Sequence, residues 1–322
     1  MNITFWGTRG SISAPLSASG VRSKIVDAVM AVAQAPESAT LAERGAAEAF
    51  VDAMPFAQRG TFGGNTSCVE VETDRPDHFL ICDLGTGVRE AALSALGRLE
   101  GRSGTFDVLL SHLHWDHIMG FPFFVPAYIP GHVIRIHGCH AQLEEALKAQ
   151  QSAPCFPVPF AALGATIEFH VLTPGETTEI AGFSVTPTPQ HHGNDSYGYR
   201  LERAGKCVVY STDSEHRIED DTDLERFARF FQGADLVIFD AMYSLADAAT
   251  VKEDWGHSSN VMGVELCQRA GAKRLALFHH EPVHGDAKLQ ALLEQTLRYE
   301  ILTRESNVLD VIAGYDGLVV SV

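Results

Sequence analysis

Apolar positions along this chain fall in short runs rich in β-branched and aromatic residues, each bounded by Gly, Pro or Asp. Such runs span residues 2–7, 68–72, 78–83, 106–111, 133–137, 166–172, 183–188, 197–202, 207–211, 235–240 and 274–278. Their length and their boundaries predict β-strands. Between some of them the apolar spacing changes to three and four, which predicts helices over 88–99, 142–151, 223–231, 260–270 and 287–302. Strands and helices do not alternate regularly. The expected architecture is therefore two sheets packed together with helices outside.

No internal repeat, low-complexity tract or Pro/Ser-rich linker interrupts the pattern, so residues 1–322 read as one domain. Residues 17–60 stand apart, being Ala-rich with helical periodicity at 21–35 and again at 40–54. Two readings stay open for this insertion: a surface helical hairpin, or a lid over a site, a common use of long loop insertions.

Composition adds a frame. Hydrophobic residues make up 45% and charged residues 20%, which suits an ordinary globular core. No stretch approaches the ~20 apolar residues that cross a bilayer. The opening Met-Asn-Ile-Thr-Phe-Trp-Gly has no basic region followed by an apolar run, so a cytoplasmic protein without a membrane partner is expected. Cysteines at 68, 82, 139, 155, 207 and 267 show no CxxC spacing and mostly lie in apolar runs, as reduced buried thiols do. The net charge is -17 with no compensating Lys/Arg stripe, which argues against long nucleic acid as a partner. Histidine is the exception to ordinary usage: the chain has 15, many beside Asp, Gly or another His.

The densest histidine run carries the chemistry. His112, His114, Asp116 and His117 follow the apolar strand that ends in Asp-Val-Leu-Leu. Two imidazoles two residues apart at a strand end point the same way, while the Asp and His on the turn beyond face a neighbouring position. That supplies ligands for two adjacent cations. Solvated loop histidines would account for a lone His-x-His, but not for this run behind a buried strand.

His-Leu-His-Trp-Asp-His at 112–117 resembles the signature of the metallo-β-lactamase superfamily. Further motifs resemble the branch containing ribonuclease Z and related phosphodiesterases, in the family's order along nearly the whole chain. These are Gly-Thr-Arg-Gly at 7–10, Gly-Gly-Asn-Thr-Ser at 63–67, Asp-Leu-Gly-Thr-Gly at 83–87, and His192 six residues before Gly198. Ser-Thr-Asp at 211–213, Asp-Ala-Met-Tyr at 240–243, Gly-His-Ser-Ser at 256–259 and Phe-His-His at 278–280 complete the series. The resemblance implies an α/β fold, an αβ/βα sandwich of two mixed sheets flanked by helices, with metals at one edge between the sheets. Residue by residue it implies His112, His114 and His192 around a first metal, Asp116, His117 and His279 around a second, and Asp213 bridging both. His191 and His280 adjoin two of these positions; alignment to the motif favours His192 and His279 and leaves the neighbours as supporting groups. Asp83 reads equally as a carboxylate that orients a ligand histidine or as a turn cap. Imidazole and carboxylate ligands at about 2.0–2.2 Å suit Zn²⁺, and Mn²⁺ or Fe²⁺ accept the same donors.

Two cations about 3.5–4 Å apart activate water and stabilise both oxygens of a displacement, so the expected chemistry is hydrolysis, with Asp116 in the catalytic centre. Three features select a phosphodiester over a lactam or thioester. Asp213 stands where the true β-lactamases of the superfamily tend to use a softer Cys. His257 resembles the extra, non-metal histidine of the ribonuclease Z branch. Asp240 matches that histidine's acidic partner, although the ribonucleases carry Glu. Such a pair would protonate the leaving alkoxide; the plainer alternative for His257 is the neighbour of a helix N-cap. The tRNA-processing members carry a Gly-rich basic arm that this chain lacks, so a small phosphodiester such as a cyclic nucleotide is the expected substrate. A ribonuclease Z-like RNA endonuclease, a lactonase or thioesterase, and a non-catalytic metal-dependent sensor are the alternatives, and a homodimer is the candidate assembly. Phe121, Phe123, Phe124 and Tyr128 read as core or as an apolar wall for a ring.

Overall fold

The computed structural model describes every residue except 36–41, 194, 217–220, 245–254 and 306. The first sheet contains β1 (Asn2–Gly7), β2 (Cys68–Val71), β3 (His78–Cys82), β4 (Thr105–Leu109), β5 (Val133–Gly138) and β6 (Thr166–Val171). The second contains β7 (Thr178–Ile180), β8 (Phe183–Gln190), β9 (Ser196–Arg203), β10 (Lys206–Ser211), β11 (Leu236–Asp240), β12 (Arg274–Phe278) and β13 (Asp310–Ala313). The last strand, β14 (Val319–Ser321), returns to the first sheet and pairs with β1. The strand orders are β14-β1-β2-β3-β4-β5-β6 and β13-β12-β11-β10-β9-β8-β7. In each sheet four neighbouring strands run parallel, β3 to β6 and β10 to β13, and the remainder pair antiparallel.

The inner faces supply one core. Ile3, Phe5, Val69, Leu80 and Leu109 of the first sheet pack on Val185, Tyr199, Val208, Tyr210, Ile238 and Phe278 of the second. Outside the first sheet, α4 (Val88–Leu99) and α6 (Leu143–Gln150) bury Val88, Ala91, Ala95 and Leu147 against Ile81, Phe106 and Ile134. Outside the second, α7 (Asp221–Phe230), α8 (Asn260–Ala270) and α9 (Asp286–Thr303) bury Phe227, Leu266 and Leu292 against Val237, Phe239 and Leu275. Strands covered on both faces lose the polar alternation, and Leu-Val-Ile-Phe-Asp of β11 is buried throughout. The expected sandwich of two mixed sheets flanked by helices is the observed one.

Three strands escaped sequence reading: β7, β13 and β14, of three or four residues each. All three are edges, held by pairing rather than by an apolar pattern of their own. The strand expected to reach Ser111 stops at Leu109; Ser111 turns its backbone N–H to the Asp83 carboxylate instead, and Trp115–Ile118 forms a single helical turn, α5. Within the 17–60 insertion, α1 (Ala18–Gln34) and α2 (Arg44–Ala53) form close to the expected positions, followed by the short α3 (Phe56–Arg59). Thr40 and Leu41 of the expected second helix lie outside the described residues. Lys24 ties α1 to the start of α9 through Asp286 at 2.8 Å. Among the described residues no helix is long and apolar enough to cross a membrane.

One buried ion cluster lies at the parallel end of the first sheet. His137 Nε2 donates to one oxygen of Asp107 at 2.6 Å, and His78 Nε2 faces the other. Burial pushes the Asp107 carboxyl up, but these two hydrogen bonds outweigh it and hold the group well below the usual carboxylate range. A depressed folded pKa contributes stability that is complete above the unfolded value, about 3.9, and is lost as pH falls below it. Asp107→Asn should therefore cost on the order of 2 kcal/mol at neutral pH, with the gap to wild type closing below about pH 4. Urea denaturation across pH measures this, and a gap that stays constant into acid would reject the ionic account.

Candidate metal centre

The parallel strands deliver their C-terminal ends to one edge between the sheets, and the chemistry-bearing residues stand just beyond those ends. Asp83 follows β3, His112 lies three residues past β4, Asp213 lies two past β10, Asp240 closes β11 and His279 follows β12; His192 comes two residues past the antiparallel β8. His114 precedes α5, while Asp116 and His117 lie within it. Binding sites outside the carboxyl ends of parallel strands follow from that shared direction.

All seven residues expected around metals converge. His112, His114 and His192 form one group with ligand atoms mutually within 4.8 Å, and Asp116, His117, Asp213 and His279 form a second. Asp213 stands between them. Its Oδ1 lies 3.2 Å from both His117 Nε2 and His279 Nε2, and its Oδ2 lies 3.5 Å from His192 Nε2 and 3.8 Å from His112 Nε2. Asp116 Oδ2 is likewise 3.2 Å from His117 Nε2 and His279 Nε2.

Second contacts fix these side chains. Asp83 accepts from His117 Nδ1 at 2.7 Å, from the Ser111 backbone at 2.7 Å, from Ser111 Oγ at 2.8 Å and from the buried Tyr210 hydroxyl at 2.7 Å. It thus orients a histidine and caps the turn at once. His192 Nδ1 donates to the Gly256 carbonyl at 2.7 Å, and the Ser11 N–H donates to Asp116 Oδ2 at 2.7 Å. Four described non-glycine residues here, Ser11, Asp83, Asp213 and His279, hold left-handed backbone at φ 58°, 61°, 52° and 57°. Each such residue costs about 1–3 kcal/mol and persists only where its surroundings over-determine it. The roles of Ser11 and Tyr210 were not legible in the sequence; the Gly7–Gly10 motif was the only hint of the first.

The donor set fits divalent cations. His112 Nε2 and His117 Nε2 are buried without a hydrogen-bond partner and face carboxylate oxygens across the cluster. A buried polar atom left unpaired costs about 1–3 kcal/mol, and a divalent cation is the species that accepts imidazole and carboxylate lone pairs together. Burial, helped by neighbouring imidazoles, pushes His112 and His114 well toward the neutral form that metals require. Burial opposes ionisation of Asp213 and Asp116, but the surrounding histidines hold both carboxylates far below their usual range. The same carboxylates push His117 up against its burial. Protons and cations compete for these oxygens, so cation binding releases protons.

His257 sits beside both groups and comes within ligand distance of their members, forming triads with His192 and Asp213 and with Asp240 and His279. Its Nδ1 donates to Asp240 Oδ2 at 2.8 Å and lies 4.0 Å from Asp213. Burial lowers this imidazole, while Asp240, Asp213 and Asp116 outweigh it and raise it to about 9. The helix cap is the next-but-one residue, Ser259, whose Oγ accepts from the Met262 N–H. Both doublets resolve in space. His191 turns to Asp223 at 2.9 Å, and His280 donates to the Gly314 carbonyl at 2.8 Å, its burial pulling it down to about 3. Phe121 and Phe124 are core, whereas Phe123 is exposed and edges against Phe156. A cavity of about 470 Å³ opens beside His114 and His192, lined also by Gln190, His191, Glu215 and Trp255.

Gly10 marks a close approach. A Cβ there would fall 2.4 Å from His279 Cε1 and 2.6 Å from its Nδ1. Gly10→Ala should push His279 off Asp116 and Asp213, weakening divalent-metal affinity about 10- to 100-fold, the usual effect of disturbing a ligand's support. Competition with a chelating dye measures the affinity; unchanged binding in a folded variant would mean that His279 is not held by this packing.

Residues 78–280 match a family model described as a β-lactamase superfamily domain. Ribonuclease Z of Acaryochloris marina is 24% identical over 279 residues, covering 71% of this chain and 85% of that protein. Zn(2+)-bound PqqB from Methylobacterium extorquens superposes with a TM-score of 0.64 at 15% identity, covering 100% of both chains. A diphosphatase of the PhnP family gives 0.58 at 19% identity over 100% of this chain and 97% of that one. At these identities the superpositions speak for the fold alone, and the fold, the family match and the clustered His/Asp motifs agree: the chain belongs to the metallo-β-lactamase superfamily of hydrolases.

Proposed function

We propose that the protein is a dinuclear metal-dependent phosphodiesterase acting on a small phosphodiester such as a cyclic nucleotide. The observation that carries this reading is the His257–Asp240 pair, bonded at 2.8 Å beside a cluster able to hold two cations. In this reading His112, His114 and His192 hold one ion, Asp116, His117 and His279 the other, and Asp213 both; zinc suits the donors best. Two such ions supply Lewis-acid activation of water and of the phosphoryl group.

The protein's own groups do the rest. Asp240 is fully buried and accepts backbone N–H groups from Ser214 and Met242 at 3.2 Å each, so it holds the His257 ring without freedom to turn. With Nδ1 committed to Asp240, Nε2 carries the transferable proton. Asp240, Asp213 and Asp116 outweigh the burial of this ring and keep it protonated, the form from which a general acid donates. An alkoxide leaving a phosphodiester requires such a proton. A net charge of -17 supports a small substrate over a long polyanion, although the similarity to ribonuclease Z keeps RNA as the second reading. The same reading takes residues 1–322 as one domain with an insertion at 17–60, supported by the pairing of the first and last strands; a cytoplasmic location is part of the proposal.

Zinc-loaded protein should hydrolyse bis-p-nitrophenyl phosphate, and chelation should abolish it. His257→Ala should slow hydrolysis of a ribose ester by ~10²–10⁴-fold. It should slow an activated aryl ester far less, because p-nitrophenolate leaves without a proton, and should keep its metal. Equal slowing on both esters removes His257 from the acid role. Precursor tRNA at physiological salt should not be cut at a specific site; efficient cleavage would replace the small-substrate reading with an RNA endonuclease.

A further inference from the structure

The 17–60 insertion grows out of segments that hold the second group of metal-binding residues. Its two ends lead into residues 8–15 and 61–66, which lie side by side. The Thr8 and Arg9 N–H groups donate to the Asn65 carbonyl at 3.0 and 2.9 Å, and the Ala14 N–H donates to the Gly64 carbonyl at 2.9 Å. From the first segment Ser11 donates to Asp116 Oδ2 at 2.7 Å, and Gly10 lies against the His279 ring. The Gly10 N–H donates to the His280 carbonyl at 3.0 Å, and the His280 N–H to the Thr8 carbonyl at 2.9 Å. Asp116 and His279 belong to one cation group; among the described residues no hydrogen bond joins residues 8–11 to His112, His114 or His192. The left-handed backbone of Ser11, at φ 58°, persists only where its surroundings enforce it.

Part of that enforcement is a charge delivered by the insertion. α1 buries none of its side chains fully, and Val21, Ile25 and Val29 stay exposed, so apolar burial does little to fix the helix. Lys24 fixes it instead. Its ammonium donates to the Ala57 and Gly60 carbonyls and pairs with Asp286 Oδ2 at 2.8 Å, which uses all three of its donors. Asp286 is buried at the start of α9, and its other oxygen accepts the Phe62 N–H at 2.9 Å and Thr61 Oγ1 at 3.0 Å. The next carbonyls take hold of residues 8 and 9: that of Phe62 accepts from Thr8 Oγ1 at 3.0 Å, and that of Gly63 from Arg9 Nε at 2.9 Å. Arg9 continues to the Glu281 and His284 carbonyls at 3.1 and 2.8 Å, just beyond His279. Removing one partner of a buried ion pair leaves an uncompensated charge, so the Lys24 end of this chain is not free to slip. We propose that Lys24 is a positioning residue for the second cation, bracing Asp116 and His279 from the insertion through Asp286 and residues 60–63. The insertion is then a brace of the metal edge rather than a lid over it. Lys24 has this role only if two cations bind, so the inference rests on that part of the function proposed above and not on the substrate.

Zinc titration of the metal-free protein against a chelating dye tests this, with His279→Ala to identify the equivalent that belongs to the second group. Lys24→Met should weaken that equivalent about 10-fold, the lower end of what disturbing a ligand's support does, and leave the other within about two-fold. Lys24→Arg, which keeps the charge, should restore most of the loss. Lys24→Met combined with Asp286→Asn removes both charges and so guards against misfolding around an unpaired carboxylate; it should show the same weakened equivalent. With cobalt in place of zinc, the visible absorption of the second ion alone should change in Lys24→Met. A lower urea midpoint with both affinities unchanged overturns the proposal, as does equal weakening of both ions or a Lys24→Arg variant that restores nothing. The two readings fail separately. Two ions in the wild type with no difference among the variants removes the brace and keeps the dinuclear centre, whereas one ion in the wild type removes both.

Discussion

A carboxylate sealed between two sheets must be surrounded by groups that repay its desolvation, and in this protein Asp213 has four imidazoles within 3.8 Å. Its two oxygens divide the neighbours, His117 and His279 on one side and His112 and His192 on the other. Those histidines arrive from different segments, behind β4, β8 and β12, so the edges of both sheets must meet in register for the charge to be satisfied. Tyr210, from the second sheet, donates to Asp83 behind β3 of the first, and Asp83 in turn holds His117. The site and the sandwich are in this sense one hydrogen-bonded object.

The constraint shows in the backbone. Asp83, Asp213 and His279 occupy left-handed conformations directly after strands, where a side chain would otherwise continue the alternation of the sheet. That turn redirects each side chain from the sheet surface into the gap between the layers. Glycines stand where room is short: Gly10 against His279 and Gly256 against His192. The strained residues and the small ones are complementary answers to packing several bulky ligands into one edge.

Much of this was legible in the sequence, because strands covered on both sides write continuous apolar runs and because the ligand residues cluster next to them. β11 and β12, with Asp240 at the end of one and His279 after the other, could be read directly. The short edges β7, β13 and β14 could not, since three or four residues carry no period and owe their conformation to the neighbouring strand. The doublets at 191–192 and 279–280 needed three dimensions to separate, because adjacent residues after a strand differ only in the face to which they turn. Backbone donors such as Ser11 leave no chemical trace in a side-chain pattern. Gly-His-Ser-Ser was read for its histidine alone. In the structure each member acts: Gly256 anchors His192, His257 meets Asp240, Ser258 donates to the Ser214 carbonyl, and Ser259 caps α8.

The central claim is that one carboxylate joins two cation sites, and metal stoichiometry tests it most directly. Protein purified without chelator and analysed by elemental emission should hold close to two divalent ions per chain. Asp213→Ala, which removes a contact from both groups, should retain less than one while keeping its secondary structure by circular dichroism. A wild-type protein fully active with one ion, or an Asp213→Ala variant that keeps two, would contradict the account.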